Sequence, residues 1–377
     1  MNIANIDDLR RLAAKRLPRV VFDFMDGGSG DDLTVRANCA DFASLRFRPK
    51  VLVDVSKRSL ATTVFGEAQA SPLILAPVGS IGLLTRHGAV KAARAAESCG
   101  VPMCLSTVAR TSIEQLREAT EKPFWFQFCL GKDREFGRAL IERAQNAGCP
   151  VLVYAVDSPI VAPRDRDVHN GLSFPPKIRF SHVLDALRHL AWTYDVVLMG
   201  PPMSIRNMPA TADSAARDIK VQELSARMRH SSNTWNDLDW VRSVWKGPLV
   251  IKGILTPEDA RLAVEHGADG ISVSNHGGML FDGTPSTISM LPSIVEAVDK
   301  RARIFLDGGI RRGQDVIKAI ALGADACLIG RAYAYGLAAQ GEAGVLRAIR
   351  ILEAEMSLTL AMVGRNSIAE IDRSVLM

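Results

Sequence analysis

Residues 270–278 read Gly-Ile-Ser-Val-Ser-Asn-His-Gly-Gly, and this stretch decides the fold. Its first half, Ile271 to Ser274, is short, apolar and β-branched, which predicts a buried strand. The strand leads directly into His276 and two glycines. A strand that fixes a histidine, followed by glycines that let the backbone turn away, is how a β/α barrel presents a reactive side chain to a ligand. The alternative is a structural histidine that caps a loop, and the other strand ends decide between the two.

The composition is that of an ordinary globular protein, and 377 residues allow one α/β barrel with a large core. The net charge of +5 and pI near 8.9 suit an anionic ligand or a membrane surface, but are too diffuse for nucleic acid. Six cysteines without a CxxC pair indicate free thiols in a reducing compartment. With no signal-like start and no apolar run of roughly 18 residues, we expect a cytoplasmic protein, or one bound peripherally to the inner face of the cell membrane.

Eight apolar segments recur from about residue 70, and each is a strand candidate. They are Leu73–Ala76, Pro102–Leu105, Phe124–Phe128, Val151–Val156, Leu249–Lys252, Ile271–Ser274, Ile304–Asp307 and Cys327–Ile329. Amphipathic helical segments lie between most of them, and a Gly-Ala-Asp junction precedes two strands, at 267–269 and 323–325. Eight β–α units predict a (β/α)₈ TIM barrel, with an open doubly wound sheet as the alternative.

Two segments fall outside this repeat. Residues 1–70 predict an N-terminal helical extension, because they have too few apolar side chains for a core of their own, so we expect a single domain over 1–377. Residues 175–233 form a long, basic insertion after the fourth strand, which predicts a functional lid, a partner site or a mobile solvated loop. Within it, residues 183–199 suit a membrane surface, with Trp192 and Tyr194 at the interface.

The ends of the predicted strands carry the candidate site. Strand seven ends in Asp307-Gly308-Gly309-Ile310-Arg311 and strand eight in Gly330-Arg331, and glycines beside arginines at these two strands predict a phosphate cradle. Lys252 ends strand five, where an anion must compensate its burial. The remaining strands bring polar or glycine-containing ends to the same mouth: Asp157, Gln127, Ser106 and Pro77-Val78-Gly79.

A tightly bound flavin mononucleotide (FMN) fits this set of groups. Its phosphate would take the loops after strands seven and eight, and Lys252 would face the ring edge where negative charge gathers on reduction. His276, paired with Asp157, would act as the base. Three polar side chains would bond the ring edge: Gln127, Ser106 and Ser274.

Four motifs make the chain similar to a known family. Residues 250–253, 274–278, 307–313 and 329–331 resemble the FMN-dependent α-hydroxy acid oxidases and dehydrogenases, which include glycolate oxidase, L-lactate dehydrogenase and mandelate dehydrogenase. The resemblance covers essentially the whole chain. The segment 164–167 and the insertion after it look most like the membrane-associated bacterial lactate and mandelate dehydrogenases.

The resemblance implies a role for individual residues. His276 matches the catalytic base, Asp157 the residue that stabilises its protonated form, and Arg164 a mobile arginine that helps hold the substrate carboxylate. Flavin-binding positions are matched by Lys252, Gln127, Ser106, Ser274, Arg311 and Arg331. In such enzymes the CH–OH group of a 2-hydroxy acid is oxidised to a ketone as the flavin is reduced. The electrons leave the carbon either as hydride, with His276 taking the hydroxyl proton, or through a carbanion. The basic, aromatic insertion favours a membrane quinone as electron acceptor, with oxygen as the alternative. The resemblance further implies a homotetramer.

Four positions depart from the family pattern, and each loses a hydrogen-bonding group. An arginine three residues after the histidine, an N-terminal tyrosine, a strand-three tyrosine and a strand-four threonine are replaced by Met279, Phe24, Cys129 and Ala155. Because these losses weaken binding of a small free carboxylate, we expect a larger or less polar substrate: an ester, amide or carrier-linked α-hydroxy or α-amino compound, or an acid bound by Arg164 alone. The alternatives are an ordinary lactate- or mandelate-type dehydrogenase in which Arg179 or Arg206 replaces the lost contact, and a non-catalytic flavin protein.

Overall fold

A computed structural model describes residues 2–160, 162, 164–172, 179–200, 207 and 231–377. A short hairpin, β1 (Thr62–Val64) and β2 (Glu67–Gln69), precedes the barrel. Eight further strands follow in chain order: β3 (Leu73–Leu75), β4 (Cys104–Ser106), β5 (Trp125–Phe128), β6 (Leu152–Ala155), β7 (Leu249–Ile254), β8 (Gly270–Val273), β9 (Arg303–Asp307) and β10 (Ala326–Ile329).

The eight strands form one parallel sheet in the order β3-β10-β9-β8-β7-β6-β5-β4. A parallel bridge between Leu75 and Met103 then joins β3 to β4, with the Leu75 amide donating to the Pro102 carbonyl at 2.9 Å. The sheet therefore closes on itself. The prediction of a (β/α)₈ barrel is confirmed, and the open doubly wound sheet is wrong.

The barrel strands are buried on both faces, which explains why their sequences are continuous apolar runs rather than alternating ones. At the N-terminal end of the strands, Phe65 from the β1–β2 hairpin packs against Trp125 and Phe305, with ring centres 6.1 and 5.8 Å away. This aromatic cluster fills the bottom of the barrel. The opposite, C-terminal end is therefore the mouth where a site can form.

Helices surround the barrel. The α-helices are Ile6–Arg16, Arg19–Asp26, Leu33–Ser44, Gly88–Ser98, Ile113–Ala119, Arg134–Asn146, Asp165–His169, Phe180–Arg188, Leu190–Trp192, Trp235–Val244, Pro257–Glu265, Thr287–Val298, Gly313–Ala321, Arg331–Gln340 and Glu342–Met362. A π-helical turn covers Thr193–Leu198. Several helices begin with a side-chain cap; Ser112, for example, accepts from the Gln115 amide.

Three helices form the first part of the N-terminal extension, between Ile6 and Ser44, whereas its last part, expected to be helical, contains the hairpin β1–β2. Asn5 caps the first by accepting from the Asp8 amide at 3.0 Å. The third begins after Asp32, whose side chain does not cap it. Instead Asp282, from the loop after β8, accepts from the Leu33 and Thr34 amides at 3.2 and 2.8 Å. The extension is thus fastened to the loop that follows the candidate histidine.

Residues 192–195 of the insertion lie against the loop after β3. Trp192 is buried and donates from Nε1 to the Leu83 carbonyl at 2.7 Å, and Asp195 accepts from the Thr85 hydroxyl at 2.7 Å. The prediction that Trp192 lies at a membrane interface is therefore wrong, because its indole N–H is satisfied inside the protein. Tyr194 is exposed, and its position at a membrane interface stays a prediction. Within the described ranges, no helix is long and apolar enough to cross a bilayer.

Candidate active site

His276 lies just beyond the end of β8, on an unusual turn. Its φ of 56° is left-handed, and Gly277 and Gly278 continue in the same region at 64° and 74°. A left-handed backbone is unfavourable for a side chain other than glycine, so the surroundings must hold it. The Ser274 hydroxyl does so by accepting from the His276 amide at 3.1 Å.

The imidazole of His276 faces the carboxylate of Asp157, which follows β6. Its Nδ1 lies 3.1 and 3.0 Å from the two carboxylate oxygens. Burial alone would raise the pKa of Asp157. The charge of His276 and its hydrogen bond to the carboxylate nevertheless hold that pKa below its usual value. Since an ionised Asp157 can only accept a hydrogen bond from Nδ1–H, the Nε2 atom of His276 is left to act on a ligand.

Lys252 of β7 lies at the centre of a buried polar network. Its Nζ atom donates to the Ser274 hydroxyl at 2.9 Å and lies 3.1 Å from Asp307, which in turn accepts from the Ser274 hydroxyl at 2.8 Å. Burial would lower the pKa of Lys252, but the charges of Asp307 and Asp157 outweigh it and raise that pKa. A permanent positive charge is thus held at the barrel mouth. That Ser274 and Asp307 also contact a flavin stays a prediction.

The ends of β4 and β5 bring the predicted polar side chains together. The Ser106 hydroxyl donates to Oε1 of Gln127 at 2.9 Å, and Nε2 of Gln127 lies 2.9 Å from Sγ of Cys129. The segment at residues 77–79 lies close by, since a Cβ on Gly79 would come within 2.6 Å of the Val108 side chain. These groups form a second wall of the mouth.

The loop after β9 has the features of an anion cradle. Gly308 and Gly309 have φ values of 97° and 83°, and a Cβ on Gly309 would lie 1.9 Å from the Asn38 carbonyl oxygen. Nη1 of Arg311 donates to the Ile310 carbonyl at 2.9 Å. Among the described residues, no carboxylate forms an ion pair with the Arg311 guanidinium. A guanidinium without a carboxylate partner beside a glycine loop suits a phosphate.

Arg331, the first residue of the helix that follows β10, makes contacts that the sequence does not reveal. Its guanidinium donates to the carbonyls of Met25, Gly27 and Gly277 at 3.1, 2.7 and 2.7 Å. The side chain therefore ties the N-terminal extension to the turn that carries His276. The backbone amides at Gly330 and Arg331 are the groups that this loop can still offer to a phosphate.

On the substrate side, Arg164 is buried rather than open. Its Nε donates to Asp167 at 2.7 Å, its Nη2 binds the same carboxylate, and its Nη1 donates to the Phe24 carbonyl at 3.0 Å. The guanidinium also lies 4.6 Å from the centre of the Phe24 ring. Arg164 must exchange Asp167 for a substrate carboxylate if it binds one.

Two other positions that differ from the family pattern carry apolar side chains. Met279 follows the left-handed turn and is partly buried, and Ala155 is buried at the end of β6. Of the arginines expected as replacements, Arg179 is exposed and packs over Gly171, whereas Arg206 lies outside the described residues.

Two buried asparagines were missed by sequence reasoning. Asn38 and Asn275 exchange side-chain hydrogen bonds at 2.9 and 2.8 Å, which joins the N-terminal extension to the loop beside His276. Their separation of 237 positions leaves no local signal.

Comparison with known proteins agrees with this geometry. A family model described as FMN-dependent dehydrogenase matches residues 13–377. The L-lactate dehydrogenase of Caulobacter vibrioides (strain NA1000 / CB15N) is 45% identical, over 100% of this chain and 98% of that protein. The L-lactate dehydrogenase of Yersinia pestis (strain Pestoides F) is 44% identical, over 100% and 98%.

Solved structures lead to the same family. The structure of the monotopic membrane protein (S)-mandelate dehydrogenase aligns with a TM-score of 0.95 and 37% identity, covering 100% of both chains. A soluble mutant of the membrane-associated (S)-mandelate dehydrogenase from Pseudomonas putida aligns with a TM-score of 0.87 and 35% identity, covering 100% of this chain and 99% of that one. The chain belongs to the FMN-dependent dehydrogenase family, and the family and the cofactor expected from the sequence are both confirmed.

The residues at the mouth fit FMN. Arg311 and the glycines after β9 suit the phosphate, and the charged Lys252 suits the ring edge that becomes negative on reduction. Ser106 and Gln127 add polar groups at the adjacent wall.

Proposed function

We propose that the chain oxidises the CH–OH group of a 2-hydroxy acid, or of a derivative of one, to a ketone. The observation that carries the proposal is the His276–Asp157 pair, in which Nδ1 lies 3.0 Å from an ionised carboxylate and Nε2 is left for the substrate. When bound, FMN would accept the α-hydrogen of the substrate together with two electrons, which with the hydroxyl proton accounts for both hydrogens lost in the oxidation.

In this mechanism the residues of the chain hold and move protons and charge. His276 accepts the proton of the substrate hydroxyl at Nε2, and Asp157 stabilises the imidazolium that results. Lys252 keeps a positive charge at the flavin ring, and Ser274 and Asp307 hold its ammonium in place. The remaining predicted contacts, from Ser106, Gln127 and the loops after β9 and β10, bind and orient the cofactor.

For the substrate, we infer a compound larger or less polar than lactate. The support is the apolar set Phe24, Met279 and Ala155, together with the engagement of Arg164 by Asp167. A compact free acid would meet one arginine that already has a carboxylate partner. An ester, an amide or a bulkier acid depends less on that contact.

The test is anaerobic flavin reduction with matched substrates. L-lactate, a larger aromatic 2-hydroxy acid, their methyl esters and amides, and the corresponding α-amino compounds are each titrated against the purified protein. Fast reduction by the esters or the larger acid, with a poor kcat/KM for L-lactate, supports the inference. A high kcat/KM for L-lactate overturns it and favours the ordinary lactate dehydrogenase, for which the 45% identity to the Caulobacter enzyme is the supporting observation.

A non-catalytic flavin protein is the remaining alternative. The His276→Ala variant separates it from an enzyme, because loss of the base removes flavin reduction while the buried Lys252 network stays intact. If a cellular phenotype of a deletion strain is rescued equally by this variant, catalysis is not the function.

We also propose that the segment 179–200 lies on a membrane surface. Its helix Phe180–Arg188 exposes Phe180, Val183, Leu184 and Leu187, which share one face at helical spacing. The following residues extend the apolar surface: Leu190, Tyr194, Val197, Leu198 and Met199. The similar (S)-mandelate dehydrogenase is described as a monotopic membrane protein, which supports this reading.

Vesicle co-sedimentation tests the membrane proposal. The double variant Leu184→Glu/Leu187→Glu is expected to lose binding to anionic lipid vesicles, whereas Ser181→Glu, an added charge outside the apolar face of the same helix, keeps most of it. Equal loss in both variants would mean that charge alone, and not the apolar face, governs binding.

A membrane position makes a membrane quinone the proposed electron acceptor, with oxygen as the alternative. Reoxidation of the reduced protein by a quinone in anaerobic vesicles, compared with reoxidation by air, distinguishes the two. A homotetramer is proposed from the family resemblance, and light scattering of the detergent-solubilised protein measures it.

A further inference from the structure

Asn207 belongs to the insertion after β6 but is completely buried at the end of β4. Its side-chain Oδ1 accepts from the Ile113 amide at 2.9 Å. Its Nδ2 lies within hydrogen-bond distance of three carbonyls, those of Ser106, Thr107 and Thr111, at 3.4, 3.3 and 3.3 Å. One amide side chain thus contacts both ends of the loop 106–113.

This arrangement satisfies backbone groups that the loop cannot satisfy alone. Ile113 is the first residue of a helix, and the first N–H groups of a helix have no partner within it. The Ser112 side chain caps Gln115, which leaves the Ile113 amide to Asn207. An asparagine is suited to this place because it offers an acceptor and two N–H donors together.

The backbone of Asn207 is fixed from the outer side as well. Arg143 donates from Nη1 to the Asn207 carbonyl at 2.7 Å, and its other nitrogens form a bidentate pair with Glu114 at 2.7 and 2.8 Å. Asn207 is therefore held between the helix that starts at Ile113 and the preceding loop.

The loop that Asn207 fills carries part of the flavin wall. Ser106 donates to the Gln127 side chain, and the Thr107 hydroxyl donates to the Gln127 carbonyl at 2.5 Å. Val108, from the same loop, packs against Gly79. A displacement of this loop therefore moves Ser106 and disturbs the contacts of Gln127 and Gly79, and all three residues are proposed to lie beside the flavin.

We propose that Asn207 is a positioning residue that sets the Ser106–Gln127 wall of the flavin site. Asn207 thereby makes the insertion a structural part of that site. A substitution at Asn207 is expected to change flavin binding although the residue does not contact the flavin. The proposal rests on the assignment of FMN to the barrel mouth, and a flavin spectrum of the wild-type protein tests that assignment first.

The test compares Asn207→Ala and Asn207→Asp with the wild-type holoenzyme and with its flavin-free form. Loss of the amide leaves the buried Ile113 N–H unpaired, so hydrogen exchange of the peptide 106–113 is expected to speed up by about 10-fold in both forms. The flavin dissociation constant is expected to rise by about 5-fold or more, with a shifted visible circular dichroism band. Asn207→Asp keeps the acceptor for the Ile113 amide but places a carboxylate beside three carbonyls. Its weakening of flavin binding is therefore expected to lessen as the pH falls and the carboxyl is protonated.

Two controls separate this role from general stability. Asp195→Ala cuts another attachment of the insertion, at Thr85, and is expected to keep the wild-type flavin spectrum and dissociation constant. In a double-mutant cycle, Asn207→Ala combined with Ser106→Ala is expected to weaken flavin binding by less than the product of the single effects.

If both Asn207 variants bind flavin as tightly as the wild type, the proposal is overturned. It is equally overturned if Asp195→Ala shows the same flavin defect. Should Asn207→Ala fail to fold, Asn207→Asp measured from pH 8 down to about pH 5 decides the matter, since a pH-independent defect contradicts the proposed contacts.

Discussion

The guanidinium of Arg164 lies over the ring of Phe24, 4.6 Å from its centre, and donates to the carbonyl of the same residue at 3.0 Å. Asp167 binds the opposite side of the guanidinium. The phenylalanine thus supplies a flat apolar support for the arginine in place of a hydroxyl for a substrate. If Arg164 binds a substrate carboxylate, as proposed, that carboxylate competes with Asp167 for the guanidinium.

The first prediction concerns Arg164 itself. Replacing it by methionine removes the charge and keeps the apolar stem, so kcat/KM for a free 2-hydroxy acid is expected to fall by about 10-fold or more, as for loss of a hydrogen bond to a charged group. The methyl ester of the same acid is expected to change little. Anaerobic stopped-flow reduction of both compounds measures the difference, and equal losses for acid and ester contradict a carboxylate contact.

The second prediction restores the lost clamp. The double variant Phe24→Tyr/Met279→Arg adds a hydroxyl and a guanidinium at positions beside the His276 turn and Arg164. Its kcat/KM for L-lactate is expected to rise by about 10-fold or more, because each group adds a hydrogen bond to the carboxylate.

The matched control for this variant is Phe24→Leu/Met279→Leu, which changes both side chains without adding a polar group. An L-lactate rate that rises equally in the control, or in neither protein, shows that these two positions do not face the carboxylate.

The third prediction tests the His276–Asp157 pair. In Asp157→Asn the carboxylate that stabilises the imidazolium is gone, so kcat is expected to fall by about 100-fold while FMN stays bound. The visible spectrum of the oxidised variant serves as the binding control. A variant that keeps its rate of flavin reduction would show that Nδ1 of His276 needs no anionic partner.

Much of the fold could be predicted because its information is local. Most barrel strands are buried on both faces, so segments such as Leu73–Leu75 are continuous apolar runs that stand out in the sequence. The position of the site follows from the same fact, since Lys252 and His276 mark strand ends where a barrel opens. Pattern alone therefore located the mouth of the barrel, whereas the roles of Lys252 and His276 there stay predictions.

The contacts that hold the site together could not be predicted, because they join distant parts of the chain. Nothing around Arg331 indicates that it donates to Met25 and Gly277, and nothing around Trp192 shows that its N–H meets the Leu83 carbonyl. Polar side chains of this kind read as ligand or membrane contacts in the sequence. Only the fold shows that other backbone groups already satisfy them.

The last prediction concerns the acid stability of the N-terminal extension, which depends on Asp26. This buried carboxylate accepts from Arg10 at 2.6 and 2.9 Å, from the Tyr335 hydroxyl at 2.8 Å and from Arg166 at 3.1 Å. Burial would raise its pKa, but the hydrogen bonds from Arg10 and Tyr335 lower it from 3.8 to about 2. Because the folded value lies below the unfolded one, the stabilisation is present above pH 3.8 and is lost as the pH falls towards 2.

A shift of this size corresponds to about 2 kcal/mol. Asp26→Asn is therefore expected to unfold at a lower temperature than the wild type at pH 7, and the gap between the two is expected to narrow below about pH 3, where the wild-type carboxyl also becomes neutral. Thermal unfolding followed by circular dichroism across this pH range measures it. The control Tyr335→Phe keeps the carboxylate and the arginines, so its difference in unfolding temperature from the wild type should narrow less. If the difference for Asp26→Asn stays constant from pH 7 to pH 2, the shape of Asp26 rather than its charge makes it important.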